Sequence, residues 1–162
     1  GGVFSPEVND EVLVGFEQGL LDSPYVLGGL YNGIDRPSEH DVPLVDKTSG
    51  KVNRRSLVSR SGNRLELLDT PRGPSGVRLA SGNKRLEVLL DERKNEIALT
   101  VFAPGSKRAQ SSVTLSSSGI TLDAGTGNVE VKGRSVSING KTGVTVDGGL
   151  LAVLKAKLIR IN

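Results

Sequence analysis

"VTLSSSGITLDAGTGNVEVKGRSVSING" (Val113 to Gly140) sets two small apolar side chains one residue apart, then a polar, glycine-containing gap, then another such pair. Pairs of this kind begin at Val113, Ile120, Val129, Val136, Val144, Leu151 and Ile159, at intervals of 7, 9, 7, 8, 7 and 8 residues. Alternation within a pair puts both apolar side chains on one face of a strand. The residue between them (Thr114, Thr121, Glu130, Ser137, Thr145, Ala152 or Arg160) is mostly polar and turns to the other face. Glycines in the gaps suit sharp corners. The pattern predicts a strand–corner–strand solenoid. Its inward stripe is Val113, Leu115, Ile120, Leu122, Val129, Val131, Val136, Ile138, Val144, Val146, Ile159 and Ile161.

The rest of the 162-residue chain agrees with an all-β reading. Val, Leu and Ile supply the apolar content; aromatics make up 3%, too few for a wide globular core. The chain lacks Cys, which excludes disulfides and thiolate metal sites. No apolar run reaches the length of a membrane-spanning helix. A net charge of +3 is too mild to demand an anionic partner.

Upstream, residues 3–36 carry the strand-like runs "DEVLVGFEQG" and "SPYVLGGLYNG". Residues 37–56, rich in Pro, Ser and charge without a sustained period, read as a linker. Residues 57–110 read as an irregular neck and 111–162 as the regular needle. The neck holds an internal repeat: "SGNRLELLD" (Ser61 to Asp69) returns as "SGNKRLEVLLD" (Ser81 to Asp91), a sign of stacked units. A thin solenoid of such short strands leaves its apolar stripe half exposed in one chain. Three intertwined chains sharing an axis bury the stripe and pair the strand edges between subunits, so an obligate homotrimer is expected.

The N-terminal zone then adds a resemblance. Pro6, Val8, Asp10, Glu11 and Val12, followed by "VGFEQG" (Val14 to Gly19), Pro24 and "VLGGLYNG" (Val26 to Gly33), resemble the end of the oligonucleotide/oligosaccharide-binding (OB) barrel of contractile-injection spike proteins. That family includes valine–glycine-repeat (VgrG) proteins of type VI secretion and the baseplate assembly and central spike proteins of phage tails. The motif residues are Pro6, Asp10, Glu11, Gly15, Phe16, Gly28, Gly29, Tyr31 and Asn32. "SRSGNRLELLDT" is similar to the family's segment between barrel and needle, with Asn63 where relatives often have His.

The resemblance implies the C-terminal part of an OB barrel leading into a trimeric intertwined β-helix, with the rest of the barrel and any hub preceding it. It implies a mechanical, non-enzymatic spike that pierces a target envelope, without a cofactor. The implied partners are baseplate hub or tube proteins at the N-terminal end and transiently the target membrane. At the other end, Leu158, Ile159, Arg160, Ile161 and Asn162 would receive a conical tip protein rich in proline, alanine and arginine (PAAR-like). The particle would assemble in the bacterial cytoplasm and act outside it or within the target envelope.

Candidate chemistry is sparse. His40, the sole histidine, reads as a solvated loop residue, and the adjacent pairs Asp10/Glu11 and Asp91/Glu92 read as surface charge because strand neighbours face apart. Lys51, Arg54, Arg55, Arg60 and Arg64 cluster without the aromatic platforms that single-stranded nucleic acids stack on, so they read as solvated collar charges or contacts with neighbouring particle subunits, with no nucleic-acid partner. Two other readings compete with the spike. A left-handed β-helix acyltransferase needs an apolar residue every six positions, unlike the intervals here. A host-binding fibre or adhesin needs a recognition head beyond the last strand.

Overall fold

The computed structural model describes residues 5–31 and 38–160. The motif residue Asn32 and the docking residues Ile161 and Asn162 lie outside them. The chain divides into two units, residues 1–127 and 128–162.

In the first unit, β1 (Val12–Phe16) and β2 (Pro24–Gly29) form an antiparallel hairpin through a single 3-10 turn, Glu17–Gly19. Gly15 lies opposite Tyr25, and a Cβ on it would stand 2.9 Å from the tyrosine ring. A bulge between Leu13 and Val14 shifts the register, so that Leu13 faces Gly28 and Val14 faces Val26.

Seven strands follow: β3 (Arg54–Val58), β4 (Arg64–Asp69), β5 (Ser75–Ala80), β6 (Leu86–Asp91), β7 (Glu96–Phe102), β8 (Ala109–Ser116) and β9 (Gly119–Asp123). They lie side by side in chain order as one antiparallel meander. The register aligns one apolar residue from every strand into a single row: Leu57, Leu65, Leu79, Val88, Leu99, Val113 and Leu122. Directly opposed residues share a face. A second row on that face runs Arg55, Leu67, Val77, Leu90, Ile97, Leu115 and Ile120. The opposite face carries Ser56, Glu66, Arg78, Leu89, Ala98, Thr114 and Thr121.

The internal repeat acquires a structural meaning here. Its two Ser-Gly-Asn turns abut at one end of the sheet. The Gly82 amide donates to Asn63 Oδ1 at 3.0 Å, and a Cβ on Gly82 would stand 1.7 Å from the Ser61 carbonyl oxygen. That approach admits only glycine. Gly82→Ala is expected to lower stability by about 1–3 kcal/mol, the usual cost of forcing atoms into a packed contact. The urea midpoint measures it, and an unchanged midpoint would contradict the stacked turns.

The structure differs from the sequence-derived segments in three places. Residues 38–56, read as linker, are folded against the sheet. Val45 bridges to Val52, the Asn53 amide donates to the Leu44 carbonyl and the Asp69 amide to that of Asn53, and β3 already begins at Arg54. This strap also buries Val42. The division between neck and needle at 110/111 falls inside β8, because the first two apolar pairs complete the meander: Val113 faces Leu122 and Leu115 faces Ile120. Within 124–160 no strand forms.

In the second unit, Val129, Val131, Val136, Ile138, Val144 and Val146 are all exposed. Tight corners occur where the gaps were read. The Leu151 amide donates to the Gly148 carbonyl at 3.1 Å, and that of Gly149 to Asp147 Oδ1 at 2.9 Å.

Candidate functional site

Two surfaces with opposite chemistry occupy the two faces of the meander. The apolar face is the barer one. Leu57, Leu67, Leu79, Leu90, Ile97, Leu99, Leu115, Ile120 and Leu122 are exposed on it, Ile120 at 72%. Soluble chains seldom leave so large a continuous apolar surface without something to cover it. At one margin of this face Arg55 Nη1 donates to Asp69 Oδ2 at 2.8 Å.

The polar face is the covered one. Glu66, in the middle of β4, is 0% exposed. Its Oε2 accepts from Arg78 Nε on β5, its Oε1 contacts His40 Nδ1, and Arg54 Nη1 lies 4.0 Å from Oε1. Arg78 Nη1 also stands 3.6 Å from Asp41 Oδ2 and 3.8 Å from Glu87 Oε2. The strap thus closes over the charges and delivers His40 and Asp41 to them. Leu68, 1% exposed, packs on this side as well. Farther along, Asp91 is buried because its Oδ1 accepts from the Arg93 amide at 3.0 Å and closes the β6–β7 turn.

These contacts correct three expectations. His40 is not solvated: its side chain is 3% exposed against Glu66. Arg54 is a buried member of the cluster and not a collar charge, and Asp91 is a turn cap and not a surface charge. His40 and Arg54 are buried because the strap folds over the polar face, and Asp91 because it caps its own turn; no local pattern records either. One signal was present in the sequence: Arg-Leu-Glu occurs in both repeats, as Arg64-Leu65-Glu66 and Arg85-Leu86-Glu87. Both glutamates reach the polar face.

Burial drives Arg54 below the ordinary arginine range, while Glu66 partly holds it up. Burial also works against the charge on Arg78, but its hydrogen bond to Glu66 and the attraction of Glu66, Glu87 and Asp41 outweigh that and raise it. The Glu87 carboxyl is pushed up, first by burial, and attraction to Arg78 offsets this only in part. A carboxyl with a raised folded-state pKa holds its proton more tightly in the folded chain than in the unfolded one. It therefore favours folding at low pH, and that advantage is lost as pH rises from the unfolded value of about 4.3 through the folded one. Glu87→Gln is expected to melt higher than wild type at pH 7, with the gap closing toward pH 4. Thermal melts across that range check it; a variant that melts lower at pH 7 would show that pairing with Arg78 dominates.

The sequence-derived motif residues fall on the β1–β2 hairpin and its approaches. Asp10 Oδ2 accepts from the Glu7 amide at 2.8 Å, and the Glu11 carbonyl accepts from the Leu30 amide at 2.8 Å. Phe16 pairs with Pro24, and Gly28 and Gly29 pair with Leu13 and Val12. Pro6 and Tyr31 are exposed. The stripe residues Val113, Leu115, Ile120 and Leu122 come together on the sheet's apolar face, whereas those from Val129 onward belong to the second unit. Of the tip-docking residues, Leu158, Ile159 and Arg160 are described and exposed.

No curated protein matches the chain. Residues 1–31, the segment that holds the hairpin, match the family described as the type VI secretion system/phage-baseplate injector OB domain. That match supports a baseplate-related structural role for an all-β chain.

Proposed function

We propose that this chain is the stalk of a spike in a contractile injection machine, working as a homotrimer that transmits axial force into a target envelope. The observation that carries this reading is the uncovered apolar face, with one apolar residue from each of seven consecutive strands in a single row. Three copies related by a three-fold axis turn these faces toward one another, and in the second unit the exposed pairs from Val129 to Leu151 are buried between three chains in an intertwined β-helix. The charged face, already covered by its own strap, stays outside.

The injector OB-domain match at residues 1–31 supports the rest of the reading. The N-terminal end joins a baseplate hub or tube. The C-terminal end, with Leu158, Ile159 and Arg160 exposed, receives a PAAR-like tip protein. The role is mechanical and non-enzymatic, needs no cofactor and no nucleic acid, and places the protein in a particle assembled in the bacterial cytoplasm that acts beyond it.

Native mass measurement in solution tests the assembly. Three times the 17.0 kDa chain mass is the expected species. A monomer at micromolar concentration would overturn the reading. Removing residues 150–162 is expected to abolish capture of a tip protein while leaving the trimer intact. Loss of glycan or cell binding instead would favour an adhesin.

A further inference from the structure

We propose that a cleft at one end of the meander, bounded by two Lys-Arg turns, binds a phosphate-bearing small molecule. The site lies within one chain's sheet, so it stands independently of the number of chains in the assembly.

Two neighbouring hairpin turns carry the same motif. The β5–β6 turn reads Gly82-Asn83-Lys84-Arg85 and the β7–β8 turn Gly105-Ser106-Lys107-Arg108. They stand at the same end of the sheet because β6 pairs with β7, and the Phe102 amide extends that pairing by donating to the Arg85 carbonyl at 2.8 Å. Both turns are internally held. The Arg85 amide donates to Asn83 Oδ1 at 3.0 Å, and the Arg108 amide to Ser106 Oγ at 3.0 Å.

Between these turns and the strap lies a cleft of about 670 Å³, within the size range of small-molecule sites. Its floor follows the register. Arg64 on β4 faces Ala80 on β5, which faces Glu87 on β6, so one short side chain sits between two long ones. Phe102 adds an apolar wall.

Four cations, Arg64, Arg78, Lys84 and Lys107, line the cleft together with the carboxylates Glu39, Asp41 and Glu87. Arg78 is answered by Glu66, Asp41 and Glu87. Arg64, Lys84 and Lys107 have no carboxylate within ion-pair distance among the described residues. Several donors around one cavity suit an oxyanion with acceptors on all sides, and guanidinium and ammonium groups are its usual hosts. The cleft is larger than a phosphate ion, and the remaining volume against Ala80 and Phe102 fits an organic body. A free sugar phosphate and a lipid headgroup share this chemistry.

The test is calorimetric titration of the full chain with glycerol 3-phosphate and with inorganic phosphate at constant ionic strength. Co-sedimentation with phosphatidylglycerol and phosphatidylcholine vesicles runs alongside. One saturable site per chain is expected. Lys84→Glu with Lys107→Glu should weaken it about tenfold or more, since two attractive charges become repulsive. Ala80→Leu should block it by filling the floor without changing charge, and Glu87→Gln should tighten it. Lys132→Glu, in the other unit, should leave it unchanged.

Sedimentation with phosphatidylglycerol vesicles alone, competed by glycerol 3-phosphate, would assign the ligand to a lipid headgroup; binding without sedimentation would assign it to a free phosphate ester. The absence of saturable binding to every phosphate probe would overturn the proposal. Binding that survives Ala80→Leu in a chain melting like wild type, or that falls equally with Lys132→Glu, would overturn it too.

Discussion

Leu99→Asp is expected to convert the assembled species to monomer without unfolding the chain. In the single chain Leu99 is 44% exposed, flanked across the ladder by Val88 and Val113. A carboxylate there remains hydrated and disturbs the isolated sheet little. In a three-fold assembly it becomes three like charges in a dry interface, where the desolvation penalty is several kcal/mol per ion. Thr121→Asp, exposed on the opposite face of β9, serves as the control and should leave the native mass unchanged.

Ile138→Asp extends the test to the second unit and should also prevent assembly if its exposed pairs pack against one another between chains. A stable trimer with Ile138→Asp but not with Leu99→Asp would remove residues 128–160 from the axial core while sparing the sheet face. A trimer with both substitutions would sink the axial arrangement altogether.

The largest effect on the fold of one chain is expected at Glu66. Glu66→Gln keeps the shape but removes the negative charge on which Arg78, Arg54 and His40 converge. Breaking a buried ion pair from one side costs about 3–5 kcal/mol: Arg54 loses its only carboxylate within ion-pair distance among the described residues, and Arg78 keeps only the more distant Asp41 and Glu87. A comparable drop in unfolding free energy is expected from urea denaturation. Hydrogen exchange should show the earliest loss of protection at Asp69, whose amide joins the sheet to the strap through the Asn53 carbonyl. Replacing Glu66, Arg54 and Arg78 together by apolar residues of similar volume should recover much of the loss, since the desolvation cost disappears with the charges. An unchanged midpoint for Glu66→Gln would mean that Glu66 does not anchor the strap.

Most of the strand positions were legible because alternation is a local property. Leu65 with Leu67, Val77 with Leu79, Val88 with Leu90 and Ile97 with Leu99 each repeat at period two between turn residues. The repeated Ser-Gly-Asn stretches were legible as stacked units, but that they are two hairpin turns in direct contact through Gly82 required the packed sheet. The charge cluster was not legible. Glu66 meets Arg78 across 12 residues and His40 across 26, separations that no local pattern records.

By itself, then, the sequence determined an all-β chain of short strands, which residues of each strand share a face, and an N-terminal segment that resembles the injector OB domain. The tertiary structure decided the register that aligns seven apolar residues in one row, and which face the chain covers with its own strap. Alternation separates two faces but carries no information about what lies on either one. Here the strap buries the charged face around Glu66, and the apolar face from Leu57 to Leu122 remains open, because hydrogen bonds and ion pairs to His40, Asp41 and Asn53 hold residues 38–53 on the polar side.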